Sequence, residues 1–493
     1  MVPQNSVVSF LPEFFLAASL LIILLHGSFL VRRAAYSYSY LTPSMIRLTT
    51  IILVLSILLV LNNPINSQTI WNNLFVSDYI GTWSKVITLS NLILCLCVCE
   101  IYMFKKGFRS FEFFFFLVGI ALSLCLLISS YDFLSIFLNL EFLSLIFYVL
   151  AGWKRTSFFS AEASLKYFIL GSVASAFFLF GVSLIYLSLG TTNISNIGIL
   201  TQGLTKPFPL TILGLVFVTS ALLFKVGAAP YHVWIADVYE GSPTIVSFIF
   251  AVIPKLSIFV VIIRLAFTGF WSLFPFFWEN FFCCCGLFSL FVGCIFGLGE
   301  TKIKRLLAFS SVGHTGFLCL GLSTGSLEGL QSVFLYLIIY SITSAFFWTF
   351  VLFLDLNHSE EKLRFSTFTD SIGLVKSNPL LGFGITLMTF SLAGIPPLGG
   401  FFVKLNIFVN LVDASFYIVS VFVVLTSSIS AFYYIRLIKI FYFEKNEKWF
   451  FFFPLNKKGA LVLIVTSFTV IFFLFFPNIF YLLTYKMAVS LMI

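Results

Sequence analysis

Four charged residues stand in stretches of sequence that are otherwise almost wholly apolar. Glu141 lies in Phe137-Leu138-Asn139-Leu140-Glu141-Phe142-Leu143, Lys225 in Leu222-Leu223-Phe224-Lys225-Val226-Gly227-Ala228-Ala229-Pro230, and Lys255 directly after Pro254. Lys404 closes Ala393-Gly394-Ile395-Pro396-Pro397-Leu398-Gly399-Gly400-Phe401-Phe402-Val403-Lys404. A charge in such surroundings must find a partner or change its protonation state, so the chemistry open to these groups is proton uptake and release. A fixed ion pair, a protonated carboxyl bonded to a neighbouring helix, or a lysine reaching for an interface would also satisfy the constraint. Intramembrane acids, however, usually mark ion pathways. His232 and His314 could relay protons, since imidazole titrates near neutral pH, although a lone histidine serves equally well as a buried structural group. Lys166, in Glu162-Ala163-Ser164-Leu165-Lys166-Tyr167, is a further candidate close to an interface, where snorkelling competes with function. Asp237 and Glu240 are expected to cap and position the apolar helix that follows them.

The elements that must hold these groups are set by composition. Of 493 residues 60% are hydrophobic and 10% are charged, against about 45–50% and about 25% in soluble domains. The mean hydropathy is +1.09. A soluble globular chain is excluded, and a bilayer is the natural solvent. A span of hydrocarbon needs roughly 20 apolar residues, and fourteen apolar runs follow one another from 8–29 to 460–484. These include 132–152, 209–231, 244–268, 380–403 and 410–435. Runs of this length without period-2 alternation exclude a β-barrel, so the fold is an all-α integral membrane bundle of about 14 transmembrane helices. One buried charge costs about 2.5–3.5 kcal/mol, which offsets roughly six to ten apolar residues. Each helix can carry one.

Gly and Pro interrupt the run just past Lys225 and the run just before Lys404, one in each half of the chain. Interrupted helices in both halves point to two inverted five-helix repeats whose coupling sites lie near mid-membrane. The expected organisation is a single polytopic domain, 1–493. It comprises an N-terminal three-helix region 1–112, repeats 113–268 and 273–442, and a C-terminal helix 443–493. Most of the 28 basic residues cluster after odd-numbered runs, among them Arg32, Arg33, Arg109, Lys302, Lys304, Arg305, Lys362, Arg364, Lys445 and Lys448. Lys85, Lys206, Arg264 and Lys486 lie on the other side. By the positive-inside rule both termini face the outer side. The net charge of +9 therefore reports topology, since nucleic-acid binding would need a clustered basic face. The nine cysteines lie within apolar stretches without metal-ligand spacing, so neither a metal nor a disulfide is expected. The 67 phenylalanines and the absence of Lys or Arg from the first 31 residues point to synthesis inside an organelle.

Several of these stretches are familiar together: Phe224-Lys225, Pro230-Tyr231-His232-Val233-Trp234, Asp237-Val238-Tyr239-Glu240-Gly241-Ser242-Pro243-Thr244, Pro254-Lys255, Lys304-Arg305-Leu306-Leu307-Ala308-Phe309-Ser310-Ser311 and Ala393-Gly394-Ile395-Pro396-Pro397. From about residue 130 to 445 the chain resembles the antiporter-like proton-translocating subunits of respiratory complex I, NADH:ubiquinone oxidoreductase. The Glu-Gly-Ser-Pro loop and Lys404 look like the subunit 2 family rather than subunits 4 or 5, and no long lateral helix follows residue 485.

The resemblance implies a translocase subunit of the mitochondrial inner membrane that binds no cofactor itself. NADH, FMN, iron–sulfur clusters and ubiquinone would sit elsewhere in the complex. It implies other membrane-arm and accessory subunits, lipid and protons as partners, and no nucleic acid. It also implies that Glu141 pairs with Lys225, that Lys255 is the central proton site, and that Lys404 leads toward the exit or the next subunit. A component of a cation/proton antiporter or of a plastid NDH-type complex is the alternative. Gly313-His314-Thr315-Gly316 looks more mitochondrial than plastid. A membrane scaffold with a defunct proton path is a third reading.

Overall fold

In hydrocarbon a backbone amide has no water to turn to, so an apolar run must close its own hydrogen bonds as a helix. In the computed structural model of the chain this is what happens. The structure describes residues 4–33, 41–63, 68–106, 110–202, 208–356, 367–368, 372, 374–444 and 457–492. Arg109, Lys206, His358, Lys362, Arg364, Lys445 and Lys448 lie outside the described residues. In chain order the helices are α1 (Gln4–Ser9), α2 (Leu11–Arg33), α3 (Leu41–Asn62), α4 (Tyr79–Lys106), α5 (Glu112–Ser129), α6 (Phe133–Ala151), α7 (Phe158–Leu189), α8 (Ile194–Gln202), α9 (Pro209–Val226), α10 (Val233–Gly241) and α11 (Thr244–Val252). They continue with α12 (Pro254–Arg264), α13 (Glu279–Gly299), α14 (Ile303–Ser323), α15 (Leu327–Leu356), α16 (Leu374–Ser377), α17 (Pro379–Ala393), α18 (Gly399–Asp413), α19 (Tyr417–Tyr442), α20 (Lys457–Phe475) and α21 (Pro477–Met492).

Among the described residues, 13 stretches are long and apolar enough to cross a bilayer. The run 380–403, one of the fourteen expected, is not among them, since it is divided between the shorter helices α17 and α18. The described parts of Met1–Val226, Ile253–Trp278 and Val489–Ile493 form one compact unit, and those of Gly227–Val252 and Glu279–Ala488 a second. A small antiparallel hairpin in the first unit, β1 (Gln68–Ile70) with β2 (Phe75–Ser77), pairs Gln68 with Ser77 and Ile70 with Phe75.

The expected interruptions occur where Gly and Pro stand. The run 209–231 is helical only to Val226, and the run 380–403 splits between Ala393 and Gly399. In both, the helix ends on a glycine in the left-handed region, Gly227 and Gly394, each with φ +81. That conformation suits a residue without Cβ and closes a helix C-terminus. A proline follows, and the Ala229–Pro230 and Pro396–Pro397 peptide bonds are cis. Pro254 divides the run 244–268 into α11 and α12, and Pro477 divides the last run into α20 and α21, since proline cannot donate to a helix it continues. Tyr481 on α21 accepts from Gln331 Nε2 through its carbonyl (3.2 Å) and from Asn406 Nδ2 through its hydroxyl (2.8 Å), docking this helix on α15 and α18.

Within each unit helices approach closely through glycines, as expected where lipid gives no hydrophobic drive between them. A Cβ on Gly181 of α7 would lie 2.6 Å from the Gly214 carbonyl of α9, and one on Gly293 of α13 would lie 2.6 Å from the Gly313 amide of α14. The break glycines are equally constrained: a Cβ on Gly227 would fall 1.8 Å from Ile235 Cδ1, whereas Gly190, also left-handed, has open space around it. Gly227→Ala is therefore expected to destabilise the solubilised protein clearly more than Gly190→Ala, which bears only the backbone strain of about 1–3 kcal/mol. Thermal unfolding of the two variants side by side checks this.

Candidate functional site

The first unit gathers three of the expected charges. Asp132 starts α6 by accepting the Leu134 amide through Oδ1 (2.8 Å), an N-cap that satisfies a first-turn amide and marks where the helix begins. Glu141 then stands at mid-helix, and Ser144 Oγ lies 3.4 Å from its Oε2. Tyr148, seven residues on, shares that face two turns away. Lys225 approaches from the end of α9, with its Nζ 5.9 Å from the Tyr148 ring centroid. Lys225 Nζ is buried and has no hydrogen-bond or ion-pair partner among the described residues, Glu141 included. The Tyr148 hydroxyl is likewise buried and meets no hydrogen-bond criterion among the described residues. Beside them is a cleft of about 10 Å³ lined by Ser144, Phe147, Tyr167, Lys225, Pro254 and Ile258, about the room one water needs. Lys255 sits in the first turn of α12, next to Pro254, and is 2% exposed.

The second unit builds a different centre around His314, which lies in the middle of α14 rather than at the helix start its flanking serines suggest. Its Nδ1 is 2.6 Å from the Tyr336 hydroxyl on α15 and its Nε2 is 3.2 Å from the Tyr434 hydroxyl on α19. Tyr340, one turn beyond Tyr336, packs its ring 5.0 Å from the imidazole. Lys404, five residues into α18, reaches back over the break and donates to the Leu392 (2.8 Å) and Ala393 (3.0 Å) carbonyls. These are the orphan acceptors at the end of α17, where a cation is favoured by the helix dipole. His314 and Lys404 together line two clefts. One of about 20 Å³ also contains Tyr336, Tyr340 and Ser391, and one of about 10 Å³ contains Ser310 and Tyr434. Imidazole flanked by two hydroxyls, each able to donate or accept, can pass a proton along the row by tautomer exchange.

Other expected residues lie elsewhere. Lys166 points outward from α7, paired with Glu162 at 2.8 Å with both side chains about two-fifths exposed, so it does not join the buried cluster. His232 precedes α10, half-buried, with Nδ1 lacking a hydrogen-bond partner among the described residues. Asp237 and Glu240 do not cap α11. They lie on α10 and hold the start of α14 and the residue before it, Asp237 Oδ1 accepting from Arg305 Nη2 (3.1 Å) and Glu240 Oε1 from Lys302 Nζ (2.5 Å). Arg305 also meets Glu240. Opposite charges within reach outbid the capping of an adjacent helix. All nine cysteines are free thiols, and among the described residues no three His, Cys, Asp or Glu side chains converge as metal ligands would.

Sequence reasoning missed the tyrosines. Tyr336 and Tyr340 are spaced one turn apart in an apolar helix, which was the available signal, but among so many aromatics it does not stand out. It also placed Lys85 and Arg264 with the loops. Both are buried in the first unit, each paired with an acid, Glu13 and Asp78 respectively.

Residues 130–430 match the sequence family described as NADH:quinone oxidoreductase/Mrp antiporter, transmembrane. The chain is 34% identical over 499 residues to NADH-ubiquinone oxidoreductase chain 2 of Marchantia polymorpha, covering 99% of each protein. It is 35% identical over 441 residues to NADH-quinone oxidoreductase subunit N of Pelagibacter ubique, covering 89% of this chain and 90% of that one. Among solved structures it resembles a chain of respiratory complex I from Thermus thermophilus with bound aureothin, with a TM-score of 0.78 at 27% identity, covering 95% of this chain and 97% of the other.

The His314 geometry is open to a direct check. His314→Leu leaves the buried Tyr336 hydroxyl without its partner, at a cost of about 1–3 kcal/mol, while Tyr336→Phe removes that hydroxyl with little change of shape. The two substitutions combined should cost less than their sum by about 1 kcal/mol in a thermal double-mutant cycle.

Proposed function

The chain belongs to the family of NADH:quinone oxidoreductase/Mrp antiporter transmembrane proteins, and on that premise we propose that it is the antiporter-like second subunit of a mitochondrial respiratory complex I. It is a multi-pass protein of the membrane arm that moves protons through Glu141, Lys225, Lys255 and Lys404, driven by NADH-to-ubiquinone electron transfer carried out in other subunits. NADH, FMN, the iron–sulfur clusters and ubiquinone belong to those subunits. The chain's own part is translocation, in contact with neighbouring membrane-arm and accessory subunits and with lipid. Its termini face the intermembrane space.

The observation that carries this reading is the unpartnered Lys225 Nζ beside a helix break. An ammonium buried without a partner is unfavourable by several kcal/mol, so it has to release its proton or recover a counter-charge. Glu141 is the counter-charge within its unit. When the carboxylate draws near, the charged form of Lys225 is favoured, and when it withdraws the neutral form is favoured. A charged Lys225 in turn disfavours a proton on Lys255. Moving one charge against 100 mV requires about 2.3 kcal/mol, and a single unit of proton affinity is worth about 1.4 kcal/mol. Shifts of two units therefore suffice.

The family's cation/proton antiporter branch could use the same lysines without a redox partner. Full-length identity to chain 2 and subunit N relatives favours complex I.

Glu141→Ala and Lys225→Ala are each expected to abolish coupled pumping while the complex still assembles and oxidises NADH. The check is the ratio of protons moved to electrons transferred in sealed membranes, and an unaltered ratio in either variant contradicts the mechanism. Lys166→Met, on the outer face, should leave that ratio unchanged.

A further inference from the structure

The first unit contains a second set of buried charges that the path above does not use. Arg264 ends α12, the helix that begins beside Lys255, and is 1% exposed. Its Nη2 donates to both carboxylate oxygens of Asp78, at 2.7 and 2.9 Å. Asp78 Oδ1 also accepts the Gly81 amide at 2.8 Å, capping α4. The site is built closely: a Cβ on Gly81 would sit 2.7 Å from Asp78 Oδ1 and 3.5 Å from Arg264 Nη2. Yet Arg264 Nε and Nη1 are buried without hydrogen-bond partners among the described residues. A guanidinium whose only role was to fasten two helices would be expected to satisfy its donors. Here two of the three nitrogens are left over, and the positive charge rests on one carboxylate.

That carboxylate belongs to a row. Two turns along α4 from Asp78 lies Lys85, paired with Glu13 of α2, and the other oxygen of Glu13, Oε2, is again buried without a hydrogen-bond partner among the described residues. The order from α12 through α4 to α2 is thus Arg264, Asp78, Lys85, Glu13, with alternating sign, and Lys255 stands on the same helix as its first member. Nine residues of α-helix separate Lys255 from Arg264, about 13.5 Å along the axis.

We propose that Asp78 and Arg264 are a further functional pair of the proton path: Arg264 places a fixed positive charge at the far end of the Lys255 helix, and Asp78 is the counter-charge whose approach or withdrawal sets how strongly that charge opposes a proton on Lys255. Arg264 is a positioning residue in this scheme, acting through Lys255, and the inference rests on the reading that Lys255 carries the proton. With the pair closed, the row is balanced and Lys255 holds its proton. With Asp78 withdrawn, the uncompensated guanidinium lowers the proton affinity of Lys255 by about tenfold for charges at a separation of that order and an effective dielectric of about 20.

The test uses the intact complex in sealed membranes and reads protons moved per electron together with assembly. The exchanged pair Asp78→Arg with Arg264→Asp restores an ion pair but reverses the sign facing Lys255. The neutral pair Asp78→Asn with Arg264→Gln keeps a hydrogen bond and removes the field. Both are expected to lose protons per electron while NADH oxidation continues, and Arg264→Lys, which keeps the charge, is expected to retain the wild-type ratio. If the exchanged or the neutral pair assembles and pumps at the wild-type ratio, the pair is a structural clamp and the inference falls. Should the exchanged pair fail to assemble, the neutral pair and Arg264→Lys decide by the same criteria. Lys255→Ala belongs in the same series: pumping by that variant overturns the reading on which the inference rests, whereas its failure to pump beside a normal exchanged pair overturns the inference alone.

Discussion

A charge inside a membrane-spanning bundle must be met by a dipole, an opposite charge or water, and the arrangement of this protein follows from how each of its buried charges is met. Lys404 is met by dipoles: the break at Gly394 frees the last carbonyls of α17, and the ammonium returns across the break to cap them. Arg264 and Lys85 are met by carboxylates. Lys225 is met by the face of Tyr148, and its hydrogen-bonding capacity is left unfilled. The differences matter, because the more completely fixed groups satisfy a charge, the less readily it changes state. A lysine held incompletely has two nearly balanced options.

The helix breaks make this imbalance possible. An unbroken helix has no spare carbonyl to offer and no room for water beside it. The breaks after Val226 and Ala393 use the same device, a left-handed glycine followed by proline, and each has a lysine close by. The geometry is not repeated, however. Lys225 precedes its glycine by two residues and stays with its own helix, whereas Lys404 follows its glycine by ten and folds back over it. The two units therefore present a lysine free to respond to a carboxylate and a lysine anchored beside a histidine–tyrosine row. One arrangement suits switching and the other suits conduction.

Much of this could be read from the sequence because the signals are strong where lipid is the solvent. The apolar run 132–152 gives a helix whose ends agree with the structure to within one residue, Phe133–Ala151. Proline and glycine in the wrong place for a helix interior mark the breaks, and lone charges in apolar runs mark Glu141, Lys225, Lys255 and Lys404. What was hidden is whatever depends on distant pairing. Lys85 and Arg264 look like loop charges until Glu13 and Asp78 are brought to them from other helices. Tyr336 and Tyr434 gain their meaning from His314, which lies on a third helix. Asp237 and Glu240 look like caps until the start of α14 arrives with Lys302 and Arg305.

The central claim is that lysine side chains inside the bundle gain and lose protons during turnover. Infrared difference spectroscopy of the intact complex with ¹⁵N-labelled lysine tests it most directly, comparing resting membranes with membranes oxidising NADH. The account predicts an isotope-sensitive ammonium deformation band in the difference spectrum that loses intensity in a Lys255→Met variant. A wild-type difference spectrum with no lysine contribution under steady proton pumping would contradict it.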